Sequence, residues 1–226
     1  MRAPETARRA VAAETRALLS GNEAIARGAW EAGVRVAAGY PGTPSTEILE
    51  SLASYEDVDV RWSTNEKVAL DVAVGASLGG ARALATMKHV GLNVAADTFL
   101  TAAYSGVGAG LVLVSADDPG MHSSQNEQDN RPSHSRGLVE LEPAQEIEAP
   151  GFQRDPQKYV MLPTHARARR PLVLERLECL ATFAEESSLT VVEERDPAVG
   201  VVTAGIAYQY VREVLPQASV LKLGLS

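Results

Sequence analysis

The stretch VRWSTNEKVALDVAVGASLGG, from Val60 to Gly80, contains the change of pattern that decides the fold. It begins as a short strand and continues as a helix of small apolar residues with few polar side chains. A helix that is apolar nearly all round is buried inside a domain. One carboxyl group, Glu66, nevertheless lies in the first turn of this helix.

The presence of Glu66 has two explanations. Ser63 and Glu66 have the spacing of a capping box, in which a Ser N-cap and a Glu three residues later satisfy each other's backbone N–H groups. Alternatively, Glu66 points into a cofactor site as a carboxyl group that handles a proton. The residues alone leave both open.

Strand and helix alternate on both sides of this stretch. Alternation of this kind predicts right-handed βαβ crossovers and an α/β fold with a mostly parallel, doubly wound sheet. We expect Asn22 to cap the first helix, and Thr43 to cap the second with Pro44 in its first turn. The predicted strands are residues 34–40, 58–64, 82–88 and 110–116, and the predicted helices begin at residues 22, 44, 66 and 93.

The second half of the chain has a different pattern. Residues 131–159 are Pro-rich, charged and aperiodic, which predicts a linker. Further on, the sequence predicts a helix over 171–186, strands over 200–204 and 219–223, and a helix over 207–215. The predicted organisation is an N-terminal extension (1–17), an internally shortened α/β domain (18–136), a linker (137–170), and a helix with an incomplete second α/β segment (171–226).

Composition excludes several function classes. The formal net charge of -8 argues against a nucleic-acid-binding surface, and the single cysteine, Cys179, excludes an intrachain disulfide and a cysteine-ligated zinc or iron–sulfur site in this chain. Glu5, Glu14 and the lack of a continuous apolar run argue against a targeting peptide, and no stretch is apolar enough to span a bilayer. We therefore expect a cytoplasmic protein without membrane association.

Loops at the carboxyl ends of parallel strands usually hold the ligand of an α/β fold. Here these loops are YPGTPST, STNE, MKHVGLN and SADDPGMHSSQNEQDN, each rich in polar groups, Gly or Pro. A metal site of His89 and His122 with Asp117 or Asp118 matches no standard spacing, and we expect none. A hydrolase built on His122 lacks the nucleophile elbow.

Three long motifs resemble one known family. LLSGNEAIARGAWEAGVRVAAGYPGTPSTEILE, STNEKVALDVAVGASLGGARALATMKHVGLNVAAD and VLVSADDPGMHSSQNEQDNR are similar to the amino-terminal domain of the indolepyruvate ferredoxin oxidoreductase alpha subunits, thiamine diphosphate enzymes of the 2-oxoacid:ferredoxin oxidoreductase superfamily. The resemblance covers Leu18 to Arg131 almost continuously. RDPQKYVMLP and GVVTAGIAYQYVREVLPQASVLKLG are similar to the region that follows and to the start of the second domain.

The resemblance implies a domain that binds the aminopyrimidine ring of thiamine diphosphate. Glu66 matches the glutamate that hydrogen-bonds the ring nitrogen N1′ and activates the cofactor. Pro41 matches a proline near the pyrimidine, and Tyr40 and Thr43 lie in the loop that reaches the substrate carboxylate. His89 and Asn93 are weaker candidates for cofactor contact.

Three departures from the family limit what the chain can do. The family continues from DNR through a further strand, helix and strand before SHSRG, whereas here DNRPSHSRG joins the two directly. The magnesium- and diphosphate-binding pattern GDG followed by Asn is missing, and so is the Cys-rich segment for iron–sulfur clusters. Magnesium, diphosphate and iron–sulfur ligands are therefore expected from missing domains or from another chain.

The resemblance thus implies a pyrimidine half-site in an enzyme that oxidatively decarboxylates aryl 2-oxoacids such as indolepyruvate. A beta subunit, ferredoxin and coenzyme A are the expected partners. The alternative is a non-catalytic assembly module that retains the fold without the chemistry.

Overall fold

A computed structural model describes residues 16–116, 135–205 and 207–224. The chain divides into two compact units, Met1–Pro156 and Gln157–Ser226. In the first unit the strands are β1 (Arg16–Ser20), β2 (Val36–Gly39), β3 (Asp59–Trp62), β4 (Ala83–Lys88), β5 (Leu111–Ala116) and β6 (Arg136–Glu140). Its main helices are α1 (Gly21–Glu31), α2 (Thr46–Leu52), α3 (Glu66–Leu78) and α4 (Gly91–Ser105).

Four of these strands form one parallel sheet in the order β3-β2-β4-β5. Within it, Gly39 at the end of β2 is in register with Trp62 of β3 and Thr86 of β4. The predicted α/β class with a mostly parallel, doubly wound sheet is confirmed. The three loops after β2, β3 and β4 consequently lie at the same edge of the sheet.

Helices cover both faces of this sheet, as β4 shows. Leu84 packs in a core cluster with α1 and α2, including Ala26, Ile48 and Leu49. Ala83, Ala85 and Met87 pack on the opposite face in a cluster with residues of α3 and α4. Successive strand residues point to opposite faces, so a strand covered on both sides is largely apolar, as Ala83, Leu84, Ala85 and Met87 of β4 are.

The predicted caps of α1 and α2 are wrong. Ser20, not Asn22, caps α1: its Oγ accepts a hydrogen bond from the Glu23 backbone N–H at 3.2 Å, and the Glu23 carboxylate accepts one from the Ser20 N–H at 2.7 Å. Helix α2 begins at Thr46 with Ser45 as N-cap, so Thr43 and Pro44 both precede it. The Thr43–Pro44 peptide bond is cis.

The segment predicted as a linker contains regular structure. Strand β6 pairs antiparallel with β1, placing Arg16 opposite Glu140. The chain after β6 is hydrogen-bonded to α1, because the Gln145 N–H donates to the Glu31 carbonyl oxygen at 2.8 Å and the Glu142 N–H donates to the Glu31 carboxylate at 2.7 Å. A lack of periodicity therefore did not mean a lack of structure.

The second unit is the smaller one. A short helix, α5 (Pro156–Tyr159), precedes α6 (Pro163–Glu186), which continues through Pro171 rather than beginning there as predicted. Strands β7 (Val191–Glu193), β8 (Asp196–Ala204) and β9 (Ala218–Leu223) form a sheet in the order β7-β9-β8, with α7 (Ala207–Val214) between β8 and β9. Strands β8 and β9 are parallel, whereas β7 is antiparallel to β9.

Among the described residues, we find no helix with the length and apolar character needed to cross a membrane.

Candidate functional site

Glu66 lies at the amino end of α3, in the loop that follows β3. The predicted capping box of Ser63 and Glu66 is wrong, because the N-cap of α3 is Asn65, whose Oδ1 accepts a hydrogen bond from the Val68 N–H at 2.9 Å. Glu66 is thus the first residue of the helix and not the third after the cap. Its carboxyl group is not used for capping α3.

The side chain of Glu66 lies against the amino end of a second helix. A Cβ atom built on Gly91, the first residue of α4, would be 2.5 Å from Glu66 Cγ and 2.6 Å from Glu66 Oε1. Real Cβ atoms do not approach other heavy atoms that closely. Only a glycine at position 91 allows the Glu66 carboxyl group to occupy this place between two helix ends, where the helix dipoles favour negative charge.

A polar network holds the two helices together next to Glu66. Lys67 Nζ donates hydrogen bonds to Asp97 Oδ2 at 2.9 Å and to Thr98 Oγ1 at 3.1 Å. Thr98 Oγ1 in turn donates to Asp71 Oδ1 at 2.5 Å. The hydrogen bond with Asp97, reinforced by the charges of Asp71 and Asp97, raises the pKa of Lys67. The network fixes α3 relative to α4, on which the position of the Glu66 carboxyl group depends.

The loop after β2 carries Tyr40, Pro41 and Thr43. Its backbone is held locally, because the Gly42 N–H donates to Thr46 Oγ1 at 3.1 Å and Ser45 Oγ donates to the Gly42 carbonyl oxygen at 2.9 Å. Tyr40 is 40% exposed at this edge of the sheet.

Asn22 of α1 holds the same loop in place through hydrogen bonds. It is 2% exposed, and its side-chain amide donates to the Pro44 carbonyl oxygen at 2.7 Å and to Glu47 Oε2 at 3.1 Å. Sequence reasoning missed this role because it assigned Asn22 to the cap of α1. The available signal was the Ser-x-x-Glu pattern of Ser20 and Glu23, which identifies the cap and leaves Asn22 for another task.

The loop after β4 carries His89 and Asn93. The His89 N–H donates to the Ala116 carbonyl oxygen at 2.7 Å, which extends the pairing of β4 with β5 beyond the strand end. Asn93 is exposed in the first turn of α4. A Cβ atom on Gly42 would be 2.9 Å from Lys88 Cβ, so the loops after β2 and β4 approach each other closely.

These facts locate all six predicted site residues at the carboxyl edge of the sheet. The structure brings Glu66 against the start of α4, and it brings the Gly42 loop against the end of β4. The motif from Asp117 to Arg131, with His122, lies outside the described residues. Within the parts of the chain that the structure describes, His, Cys, Asp and Glu side chains form no group of three that could hold a metal ion.

The edge has features that fit an aminopyrimidine ring. A half-buried carboxyl group stands between two helix ends, and a buried hydroxyl, Thr86 Oγ1, has no hydrogen-bond partner. Thr86 is paired with Gly39 immediately before the Tyr40 loop. Such a set can bind a planar, nitrogen-containing ring and exchange a proton with it.

The chain is similar to proteins of one family. The family described as pyruvate flavodoxin/ferredoxin oxidoreductase, thiamine diphosphate-binding, matches residues 27–149. The chain is 43% identical to the indolepyruvate oxidoreductase subunit IorA of Archaeoglobus fulgidus over 87% of its length, and 38% identical to that of Thermococcus kodakarensis over 92%. It spans only 40% and 41% of these two relatives.

The alignment with the Archaeoglobus protein extends over 250 positions, more than the 226 residues of the chain. The relative therefore has residues without a counterpart here.

A solved structure shares the fold. The chain is similar, with a TM-score of 0.69, to a 2-oxoglutarate:ferredoxin oxidoreductase from Magnetococcus marinus that has 2-oxoglutarate, coenzyme A and succinyl-CoA bound. The match covers 93% of this chain and 54% of the other. At 13% identity this similarity concerns the fold alone.

Proposed function

Since this chain belongs to the thiamine diphosphate-binding family of pyruvate flavodoxin/ferredoxin oxidoreductases, we propose that it contributes the pyrimidine half of a cofactor site to an indolepyruvate ferredoxin oxidoreductase. The assembled enzyme would oxidatively decarboxylate aryl 2-oxoacids, with coenzyme A accepting the acyl group and ferredoxin the electrons. The observation that carries the proposal is the Glu66 carboxyl group, held at the sheet edge against Gly91.

Glu66 would hydrogen-bond the ring nitrogen N1′ and share its proton. A positioned acid or base of this kind contributes about 10² to 10⁴ in rate. Bound thiamine diphosphate itself supplies the carbanion chemistry. The task of the protein is to hold the carboxyl group in place, which the Lys67 network and the glycine at 91 accomplish together.

The other site residues have supporting roles in this proposal. Pro41 would pack near the pyrimidine, while Tyr40 and Thr43 would reach the substrate. His89 and Asn93 would contact the cofactor from the loop after β4. Asn22 would keep the Tyr40 loop in position through the Pro44 carbonyl oxygen.

Diphosphate, magnesium and iron–sulfur ligands would come from outside the residues of this chain. Their sources would be further segments of a longer protein, or a separate chain, together with a beta subunit. The single cysteine fits a reducing compartment such as the cytoplasm.

Reconstitution tests the proposal. The purified chain alone should bind thiamine diphosphate with magnesium more weakly than about micromolar, since the diphosphate carries most of the ligand charge. Addition of a chain that carries the GDG pattern and the Cys-rich domain should produce indolepyruvate-dependent ferredoxin reduction. Micromolar or tighter binding by the isolated chain in calorimetry would contradict the half-site.

One observation favours the non-catalytic assembly module as second candidate. The relatives have residues without a counterpart here, and in the described sheet β5 is an edge strand. A module of this kind would co-purify with the same partners without changing their turnover. An inactive complex of normal composition would support it against the catalytic proposal.

A further inference from the structure

Lys88 is the last residue of β4, at the edge of the sheet where the candidate site lies. The preceding residue, Met87, is fully buried in the cluster with α3 and α4. Because successive strand residues point to opposite faces, Lys88 points to the side of α1 and α2. The loop that leads into α2, residues 40–45, lies on that side.

The side chain of Lys88 begins directly against this loop. A Cβ atom built on Gly42 would be 2.9 Å from Lys88 Cβ and 3.6 Å from the Lys88 backbone nitrogen. Lys88 is half-buried, and a lysine of this kind lays its aliphatic stem along the protein while its ammonium group stays near solvent. The ammonium group therefore lies within a side chain's length of the loop that carries Tyr40 and Thr43.

Positive charge is scarce at this edge of the sheet. The carboxyl ends of β2, β3 and β4, with the residues that follow them, span residues 39–45, 62–66 and 88–93. Lys88 is the only lysine or arginine in these three segments. Just outside them, Arg61 is paired with Asp59 at 2.8 Å, and Lys67 is paired with Asp97 at 2.9 Å.

The proposed substrate needs a positive charge in the site. A 2-oxoacid is an anion at neutral pH, and it would enter a site that already contains the Glu66 carboxyl group. Neighbouring negative charges repel each other unless a cation lies beside them, and the formal net charge of -8 adds to this cost. A lysine ammonium is a compact charge with three hydrogen-bond donors, which suits a carboxylate.

We propose that the Lys88 ammonium group binds the carboxylate of the aryl 2-oxoacid substrate, alongside Thr43. This inference rests on the proposed function, and it names the residue that makes the site select an anionic substrate. The carboxylate departs as carbon dioxide in the reaction, so this ion pair contributes to substrate binding and not to the rate of the chemical step.

A charged ligand and its neutral counterpart test the proposal in the reconstituted assembly. Indole-3-propionate carries a carboxylate where indole-3-propionamide is neutral. Calorimetry should show that the assembly binds the carboxylate about 10- to 100-fold more tightly, as expected for a hydrogen bond between charged groups. Lys88→Met should reduce this preference to less than about threefold, whereas Lys88→Arg keeps the charge and should retain most of it. Arg82→Met removes a cation just before the opposite end of β4 and should leave the preference unchanged.

Kinetics give a second measurement. With indolepyruvate as substrate, Lys88→Met should raise KM about 10- to 100-fold and change kcat by less than about threefold. In an active assembly, three results would overturn the role of Lys88 and leave the proposed function standing: no preference for the carboxylate, the same preference in Lys88→Met, or a fall in kcat without a rise in KM. An original assembly that does not turn over indolepyruvate would contradict the proposed function itself, and this inference with it.

Discussion

The helices of the two compact units differ in how much they bury. In the first unit, α3 is 13 residues long and buries Ala69, Leu70, Ala73 and Ser77. In the second, α6 is 24 residues long and α7 is 8, and neither buries any described residue. The first unit therefore holds its own core and can hold a site to fixed geometry, whereas the second exposes surfaces that suit contacts with other protein.

The largest expected effect tests whether the chemistry belongs to the first unit. Glu66→Gln in a complete, active assembly keeps the shape of the side chain and removes its ability to exchange a proton. We expect turnover to fall about 10²- to 10⁴-fold, with the circular dichroism spectrum unchanged. Glu175→Gln makes the same change on the exposed α6 and should leave turnover as it is.

Proton exchange gives the decisive measurement for Glu66. The rate of C2-proton exchange on bound thiamine, followed by NMR, should fall with turnover in Glu66→Gln. An unchanged exchange rate in that variant would mean that Glu66 has no part in activating the cofactor.

Substitutions at two leucines compare the core of the first unit with the exposed surface of α6. Leu84 is 1% exposed in the core of the first unit, and Leu177 is 57% exposed on α6. Leu84→Ala should cost about 2–5 kcal/mol of unfolding free energy, the usual cost of a core cavity. Leu177→Ala, measured in urea, should stay within about 0.5 kcal/mol. Equal losses would show that α6 is buried in solution.

Most of the first unit could be predicted because β2, β4 and β5 are short, largely apolar runs that alternate with helices. Strand β4 is the clearest case, since all of ALATM is buried. Strand β6 was missed because RGLVE is exposed except for Val139 and finds its partner, β1, more than 100 residues earlier. No local pattern reports a pairing at that distance.

The site was predictable in its residues more than in its geometry. The motif around Glu66 identified the carboxyl group, but the capping interpretation took Ser63 as the cap of α3, whereas the structure has Asn65 there. Which of them caps α3 depends on where β3 ends, and β3 ends at Trp62, with the Ser63 N–H donating to the Gly39 carbonyl oxygen at 2.9 Å. The role of Gly91 could not be foreseen, because it depends on how α4 packs beside α3.

A substitution at Gly91 tests how closely the start of α4 packs against Glu66. Gly91→Ala places a methyl group only 2.5 Å from Glu66 Cγ and 2.6 Å from Glu66 Oε1, so the carboxyl group must move. A displacement of about 1 Å can cost up to 10²-fold in rate, and we expect turnover in the assembly to fall at least about tenfold. Gly75→Ala, inside α3 with nothing near its Cβ position, should leave turnover unchanged and add about 0.5–1 kcal/mol of stability. Full activity in Gly91→Ala would show that Glu66 tolerates another position.

A smaller effect distinguishes the two cap candidates of α3. Asn65→Ala removes the acceptor of the Val68 N–H and should cost about 1 kcal/mol of unfolding free energy. Ser63→Ala removes no cap and should cost less than about 0.5 kcal/mol. The reverse order in urea melts would reinstate Ser63 as the cap and would weaken the assignment of Glu66 to chemistry alone.

The smallest effect concerns acid stability at the start of α1. Hydrogen bonds from the Ser20 backbone N–H and hydroxyl to the Glu23 carboxylate lower the pKa of Glu23 below its ordinary value. Because the folded pKa is the lower one, the stabilisation is present above the ordinary glutamate pKa of about 4.3 and is lost as the pH falls through the folded value.

Comparing the pH dependence of unfolding in the original chain and in Glu23→Gln should therefore show a small acid-dependent difference that disappears at the lowest pH. Glu56→Gln, at an exposed glutamate, is the matched control. An NMR titration that gives Glu23 an ordinary pKa would remove the capping box from the forces that stabilise the first unit.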